Sequence, residues 1–207
     1  MITIRCTRSR GPRGFSCLHV DRRGPVIVAV IRLNVMAVAF TQRMILRRFR
    51  DADSDPMLAV FGDPDVMRFG DGPQTAEWTQ HWIKRTVKRY DDWGFGPWAI
   101  VLRESETPIG YCGLFRFDDI NGRPEIELGY RLAKKQWGCG LATEAATAVR
   151  DMALLEHGLD RLISLIDPDN RRSVRVADKL GMVYTDDVML PGYSHPDRVY
   201  SYTKDVG

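Results

Sequence analysis

"KKQWGCGLATEAA", residues 134–146, sets two glycines, Gly138 and Gly140, one residue apart immediately before a helical pattern. The preceding "EIELGYRLA" (125–133) alternates like a strand, and "LATEAATAVRDMALLEH" (141–157) repeats its apolar residues at helical spacing. The stretch therefore reads strand, Gly-X-Gly turn, helix. A helix N-terminus presents unpaired N–H groups and a positive dipole end, which together suit an anion. Glycines without Cβ let a ligand approach the main chain closely. Ala142 and Thr143 are small and keep the approach to the amides of Gly138–Thr143 open. Gly-X-Gly alone also describes a plain turn, so the rest of the chain has to decide.

Working outward, the pattern is regular from Met44. "MILRRFR" (44–50) alternates as a strand, and "DSDPMLAVFGDP" (53–64) is a short helix with Pro56 in its first turn. The spacing predicts an amphipathic helix over 75–94, with Trp78, Trp82 or Ile83, Val87 and Tyr90 on one face. Thr75 is its N-cap and Gly94 its stop. Strands follow at 98–104, 109–117 and 125–133, joined by turns short enough for an antiparallel meander. After the helix at 140–157 come a strand at 161–167, an Asn170-capped helix at 171–180 closed by Gly181, and strands at 182–190 and 198–204. The expected class is α/β, with a mixed, mainly antiparallel central sheet and flanking helices. Tyr184 is expected in its core.

The Gly-X-Gly turn could also open a dinucleotide site. The third glycine is replaced by Thr143, and the acid after the next strand, Asp167, lies far beyond the ~20 residues expected. The preceding strands form hairpins rather than a βαβ repeat. That reading is discounted.

The chain has 207 residues and a net charge of +3. Residues 1–35 hold seven arginines and one acid, +6, which leaves −3 for the remainder. Residues 1–40 are read as a basic extension outside the fold, and 41–207 as the domain, with Met36 or Met44 as alternative natural starts. The acidic balance of the domain argues against nucleic acid and favours a cationic partner. The longest apolar stretch (26–40) is broken by Arg32 and Asn34, so no membrane span is expected. Cys6, Cys17, Cys112 and Cys139 have no metal-ligand or disulfide spacing, and the four histidines are scattered. This points to a reduced, cytoplasmic protein without a metal site.

With "GDPDVMRF" (62–69), "EIELGYRLAKKQWGCGLATEA" (125–145) and "DPDNRRSVRVADKLGM" (167–182) in this order, residues 44–204 resemble the GNAT N-acetyltransferases. More narrowly they resemble the ribosomal-protein N-terminal acetyltransferase (RimJ/RimL-like) branch. The resemblance implies the acyl-CoA N-acyltransferase fold, with two splayed central strands, and acetyl transfer from acetyl-CoA to a primary amine in a ternary complex. The acceptor it implies is a protein N-terminus or a small-molecule amine, and a homodimer is compatible with it. It places the pyrophosphate on Lys135, Gln136, Trp137, Gly138, Cys139, Gly140, Leu141, Ala142 and Thr143. Lys135 stands where relatives often carry Gln or Arg. It places the pantetheine arm against Arg131, Leu132 and Ala133, with Asn170 also touching it and a backbone N–H near Leu132 meeting the thioester oxygen.

No Ser-His-Asp or Cys-His set exists, and Cys139 has no base to make it an acyl carrier. Beside the thioester position that the resemblance implies lies Glu127, the expected general base, with Glu125, two residues away on the same strand face, as runner-up. Many relatives carry a tyrosine acid in the helix after the Asn turn, but Ala177 occupies that position. Ser173 is the candidate in its stead. Should no acid act, the alternative is a catalytically idle acyl-CoA-binding module. An acceptor pocket is expected among the two N-terminal helices and the 91–98 and 190–198 loops, with Trp78, Trp82, Trp93 and Tyr193 as wall candidates.

Overall fold

The computed structural model describes residues 37–204. Its strands are β1 (Ala37–Phe40), β2 (Met44–Arg47), β3 (Pro97–Leu102), β4 (Pro108–Ile120), β5 (Arg123–Leu132), β6 (Arg161–Ile166), β7 (Val183–Val188) and β8 (Asp197–Thr203). The helices are α1 (Ser54–Phe61), α2 (Ala76–Trp93), α3 (Leu141–Leu155) and α4 (Arg171–Lys179), with 3-10 turns at Asp51–Asp53 and Lys134–Gln136. The strands form one sheet in the order β1-β2-β3-β4-β5-β6-β8-β7. Every pairing is antiparallel except β5–β6. This is the expected mixed, mainly antiparallel class, and its β3–β4–β5 meander is not a dinucleotide fold.

The sheet starts earlier than the sequence suggested. β1 lies inside the segment read as an extension and pairs with β2 through Ala37↔Arg47 and Phe40↔Ile45. Residues 1–36, including the alternative start at Met36, lie outside the described residues. Among the described residues, no helix is long and apolar enough to cross a membrane.

Alternation along the strands gives the sheet two apolar faces. On one, Leu141, Ala145, Val149, Met152 and Ala153 of α3 pack on Ile100, Leu114, Leu128 and Leu132. On the other, α1 and α2 build an aromatic cluster, with Phe61 4.9 Å from Trp82 and Trp82 5.2 Å from Tyr111 between ring centroids. Trp78 and Trp82 thus belong to packing. The buried stripe of α2 is Thr79, Trp82, Ile83, Thr86 and Tyr90, and Val87 lies at its exposed edge. Thr75 Oγ1 caps α2 by accepting from the Trp78 amide, and Gly94 ends it at φ 76°.

A buried bidentate pair joins Arg47 of β2 to Asp53 at the head of α1, at 2.6 and 2.7 Å. Removing one partner of such a pair costs about 3–5 kcal/mol, because the other charge is left buried. Tyr184 departs from expectation. It is 54% exposed, because β7 is the edge strand and only its last residue is buried.

Candidate active site

The site begins where β5 and β6 separate. The two strands share one registered pair, Glu127↔Ile163. Past it, Ser164 Oγ donates to the Leu128 carbonyl at 2.8 Å, taking the acceptor a continued ladder would use. The Leu165 amide faces the Glu127 carboxylate closely enough to favour its charged form. Two side chains therefore end the ladder and leave a gap.

The register with β4 fixes what faces that gap. The Ala133 amide donates to the Ile109 carbonyl at 2.8 Å, and residues 110–117 pair with 132–125 without a shift. In an antiparallel ladder, hydrogen bonding to one neighbour alternates. Arg131 and Ala133 therefore direct their peptide groups to β4, and Tyr130 and Leu132 direct theirs to the gap. Of the three strand residues singled out from sequence, Leu132 alone offers its amide there. Its carbonyl already accepts from Trp137 Nε1 at 2.8 Å.

At the end of β5 the chain turns into α3. The Gln136 and Trp137 amides are engaged in the 3-10 turn, donating to Ala133 and Lys134 carbonyls. Gly138 and Gly140 take left-handed φ of 76° and 78°, and a Cβ at Gly138 would meet open space. Glu144 is the first residue of the helix whose amide has a helical partner, the Gly140 carbonyl. Among the described residues, the amides from Gly138 to Thr143 find no acceptor in the chain. This is the unpaired donor set of an exposed helix start.

Arg43 holds the loop from across the sheet. Its main-chain N and Nε donate to the two Glu144 oxygens at 2.9 and 2.7 Å, and Nη1 donates to the Cys139 carbonyl at 2.7 Å. Arg172 lies 4.8 Å above the Trp137 ring, and Lys135 is exposed. These groups make the rim electropositive. Cys139 is exposed, and its thiol touches only the Trp137 carbonyl. No sequence signal pointed to Arg43, which acts over 101 residues of separation.

Glu127 sits on the α1/α2 face of β5, opposite Phe115 on β4. Burial, partly offset by the Leu165 hydrogen bond and the Arg131 charge, pushes its carboxyl up to about 7. It keeps partial solvent access. Arg131 roofs this end, donating to Met67 Sδ and abutting Gly70, while Lys134 pairs with Asp65. The "GDPDVMRF" segment is thereby tied to β5. Glu125 is differently placed. It is 5% exposed and neutralised by Arg161 at 3.0 Å and Arg123 at 2.8 Å. It lines a separate depression of about 550 Å³ with Trp93 and Phe95. The expected acceptor wall is therefore split, because Trp93 and the 91–98 loop accompany Glu125. Tyr193, from the other loop, feels the charges of Glu127, Arg131, Asp71 and Asp197.

The opposite face carries a hydroxyl pair. Tyr130 Oη donates to Ser173 Oγ at 3.1 Å, and Asn170 Oδ1 caps α4 by accepting from the Ser173 amide at 3.2 Å. Burial pushes the Tyr130 phenol up to about 12, so it stays protonated at neutral pH. Ala177 is 2% exposed within the core, so its position has no room for a tyrosine. The phenol reaches Ser173 from β5 instead. Sequence reading missed Tyr130, which looked like an ordinary strand former.

A third cluster unites residues that the sequence scatters. Asp167 and His195 approach to 3.4 Å, and their donor atoms and those of Asp197 all lie within 4.8 Å of one another. The structure thus gathers three potential cation ligands where sequence reading expected none.

A family model for the acetyltransferase (GNAT) domain matches residues 43–183. The uncharacterized protein YkkB of Bacillus subtilis (strain 168) is 31% identical over 169 residues, 81% of this chain and 96% of the relative. The acetyltransferase of Agrobacterium tumefaciens str. C58 superposes with a TM-score of 0.69 at 29% identity, over 80% of this chain and 94% of that one. The fold is shared too with RimL, a ribosomal L7/L12 alpha-N-protein acetyltransferase in complex with coenzyme A. That likeness has a TM-score of 0.67 at 17% identity and covers 84% of this chain and 99% of RimL. The gap, the glycine loop and the family match agree: this chain belongs to the GNAT acetyltransferase family and is an N-acetyltransferase.

Proposed function

We propose that the protein transfers acetyl from acetyl-CoA to a primary amine by direct attack in a ternary complex, in the manner of the ribosomal-protein N-terminal acetyltransferase branch. The feature that carries this is Glu127: a partly buried carboxyl pushed up to about 7, at the last registered pair before β5 and β6 part, on the strand that leads into the unpaired amides of the glycine loop. The bound co-substrate would supply an activated acetyl thioester. The loop accommodates its diphosphate, since the Gly138–Thr143 amides are unpaired and no Cβ obstructs Gly138. Lys135 and Arg172 add positive charge at the rim. The opened edge at Tyr130 and Leu132 suits an amide-bearing pantetheine arm added as a partial strand. Asn170, at the start of α4, borders the same gap.

Amide formation needs a neutral amine, a polarised carbonyl and a protonated leaving sulfur. Glu127 takes the amine proton on one face of the sheet, and a base titrating near the working pH is the most effective kind. The Leu132 amide, directed into the gap, donates to the carbonyl oxygen. On the other face Ser173 accepts from Tyr130, which leaves its own O–H free to donate to the sulfur. This supplies the acid that Ala177 cannot, and removes the motive for the idle-module reading. The acceptor is a protein N-terminus or a small amine.

The test is thiol release from acetyl-CoA against a panel of amines and peptides, with wild type beside Glu127→Gln and Ser173→Ala. Amine-dependent release that falls in both variants supports the proposal. Coenzyme A binding without release toward any acceptor would sink it.

A further inference from the structure

We propose that Asp167 and Asp197, with His195 beside them, hold a second positive charge on the acceptor, so that the preferred substrate is a diamine or another amine with a distant ammonium. This rests on the acetyl-transfer reading above and names the substrate class.

The first support is an unbalanced buried charge. Asp197 is 8% exposed, and its Oδ1 is fully buried without a hydrogen-bond partner. Its neighbours make this worse, because Asp167 adds like charge and His195 compensates only in part. The two other buried acids are treated differently: Asp53 has Arg47, and Glu125 has Arg161 and Arg123. Among the described residues, no lysine or arginine forms an ion pair with Asp197. Leaving such a carboxylate unpaired is unfavourable, and a cationic ligand would relieve it.

The second support is position. Asp167 follows the last residue of β6, and Asp197 opens β8, whose Arg198 pairs with Ile166. Strand pairing therefore brings the two carboxylates together at the end of β6 that parts from β5. Asp197 acts on the charge of Glu127, and Tyr193 feels both together with Asp71. By strand register the cluster lies on the same face of the sheet as Glu127, four residues along β6 from its partner Ile163, and within reach of its charge. One amine of a diamine can then reach Glu127 while the other rests between Asp167 and Asp197. The net −3 of residues 36–207 draws such a molecule in.

An alkylammonium suits this donor set better than a metal ion. It brings three N–H donors to oxygens that lack them. A metal would need His195 as a ligand, yet that side chain is about half exposed and its Nε2 already faces Asp167.

The experiment is calorimetry on the full chain loaded with coenzyme A. α,ω-Diamines of three to eight carbons are titrated beside amino alcohols of equal length. The diamine of best-fitting length should bind about tenfold or more tightly than its amino alcohol, as expected for a desolvated charge pair. Asp197→Asn and Asp167→Asn should each bring that ratio below about threefold. The first keeps the buried volume, and the second alters a residue nearer solvent, so one folded variant suffices. Equal binding of the two compounds, or a ratio that both variants keep, overturns the proposal. So does zinc or manganese binding to the cluster that the diamine does not displace. Acetyl transfer is read separately. If the diamine binds as expected but no amine is acetylated, the acetyl-transfer reading fails and the cation site stands.

Discussion

Glu127→Gln should make the protein more stable and slower at once. The carboxyl titrates near 7 in the folded chain against 4.5 for an unperturbed group, chiefly because burial disfavours its charge. Each pH unit between the two values is worth about 1.4 kcal/mol, so the full destabilisation from the ionised form is about 3.4 kcal/mol without screening. The side chain's partial solvent access reduces this to roughly half, about 1.5–2 kcal/mol. The direction follows from proton binding. Below about pH 4.5 both states hold the proton and the penalty vanishes. As pH rises toward 7 the unfolded chain releases its proton first, so folding weakens, and above about 7 the loss is complete. Glutamine has no such titration, and its carbonyl can still accept from the Leu165 amide.

Urea unfolding at pH 5.5 and 8.5, followed by tryptophan fluorescence, should show a stability advantage for Gln that widens by about 1 kcal/mol between the two. Over the same range the acetylation rate of the variant should fall about 100-fold or more below wild type, the usual contribution of a positioned base. An advantage that stays flat or shrinks with pH would mean that Glu127 ionises as an ordinary carboxylate. An undiminished rate would remove it as the base and leave the loop's role untouched.

Tyr130→Phe and Ser173→Ala should each lower kcat about 10- to 100-fold, and the double variant should be no slower than Ser173→Ala alone, as for groups acting in series. Multiplying losses would refute the hydroxyl pair. Arg43→Ala should weaken coenzyme A binding about five- to tenfold by loosening the Cys139–Gly140 turn, while changing stability by no more than about 1 kcal/mol, since the ion pair is partly exposed. A large loss of stability with unchanged affinity would place Arg43 in the fold rather than the site. A chain beginning at Met36 should keep the unfolding midpoint and the acetylation rate, because among the described residues the first strand of the sheet starts at Ala37, and the family match starts at residue 43. A lowered midpoint would give residues 1–35 a part in the domain.

The elements were legible where their signals are local. The alternation of 98–117 and 125–133, the Thr75 and Asn170 caps and the Gly94 and Gly181 stops all stand within a residue or a few of where the sequence put them. β1 was not, because four residues, Ala37–Phe40, carry no period of their own and gain their strand geometry from pairing with β2. Val87 and Tyr184 were misjudged for a related reason. An apolar residue at the margin of a helical stripe or on an edge strand has the right type, but tertiary neighbours decide its burial.

The candidate site divides along the same line. Its proposed coenzyme side is one continuous run from β5 through the glycine loop into α3, with main-chain amides as the donors. A ligand site made of amides needs only turn geometry and small residues, and both are written in consecutive letters. Its proposed acceptor side is assembled from side chains on β5, the 62–71 segment, the end of β6, the 190–197 loop and β8. Apart from the 190–197 loop, which runs directly into β8, these segments are far apart in sequence, so their spacing carries no period or motif. Glu127 is picked out in the sequence only through the resemblance, which puts the thioester beside it, and its raised titration comes from burial that only the fold creates. The unpaired Asp197 is the counterpart: its residue type says nothing, and only the missing partner, visible after folding, marks it. Within one fold that serves many acceptors, variation in specificity should therefore concentrate in residues of this second kind, while the amide cradle stays nearly unchanged.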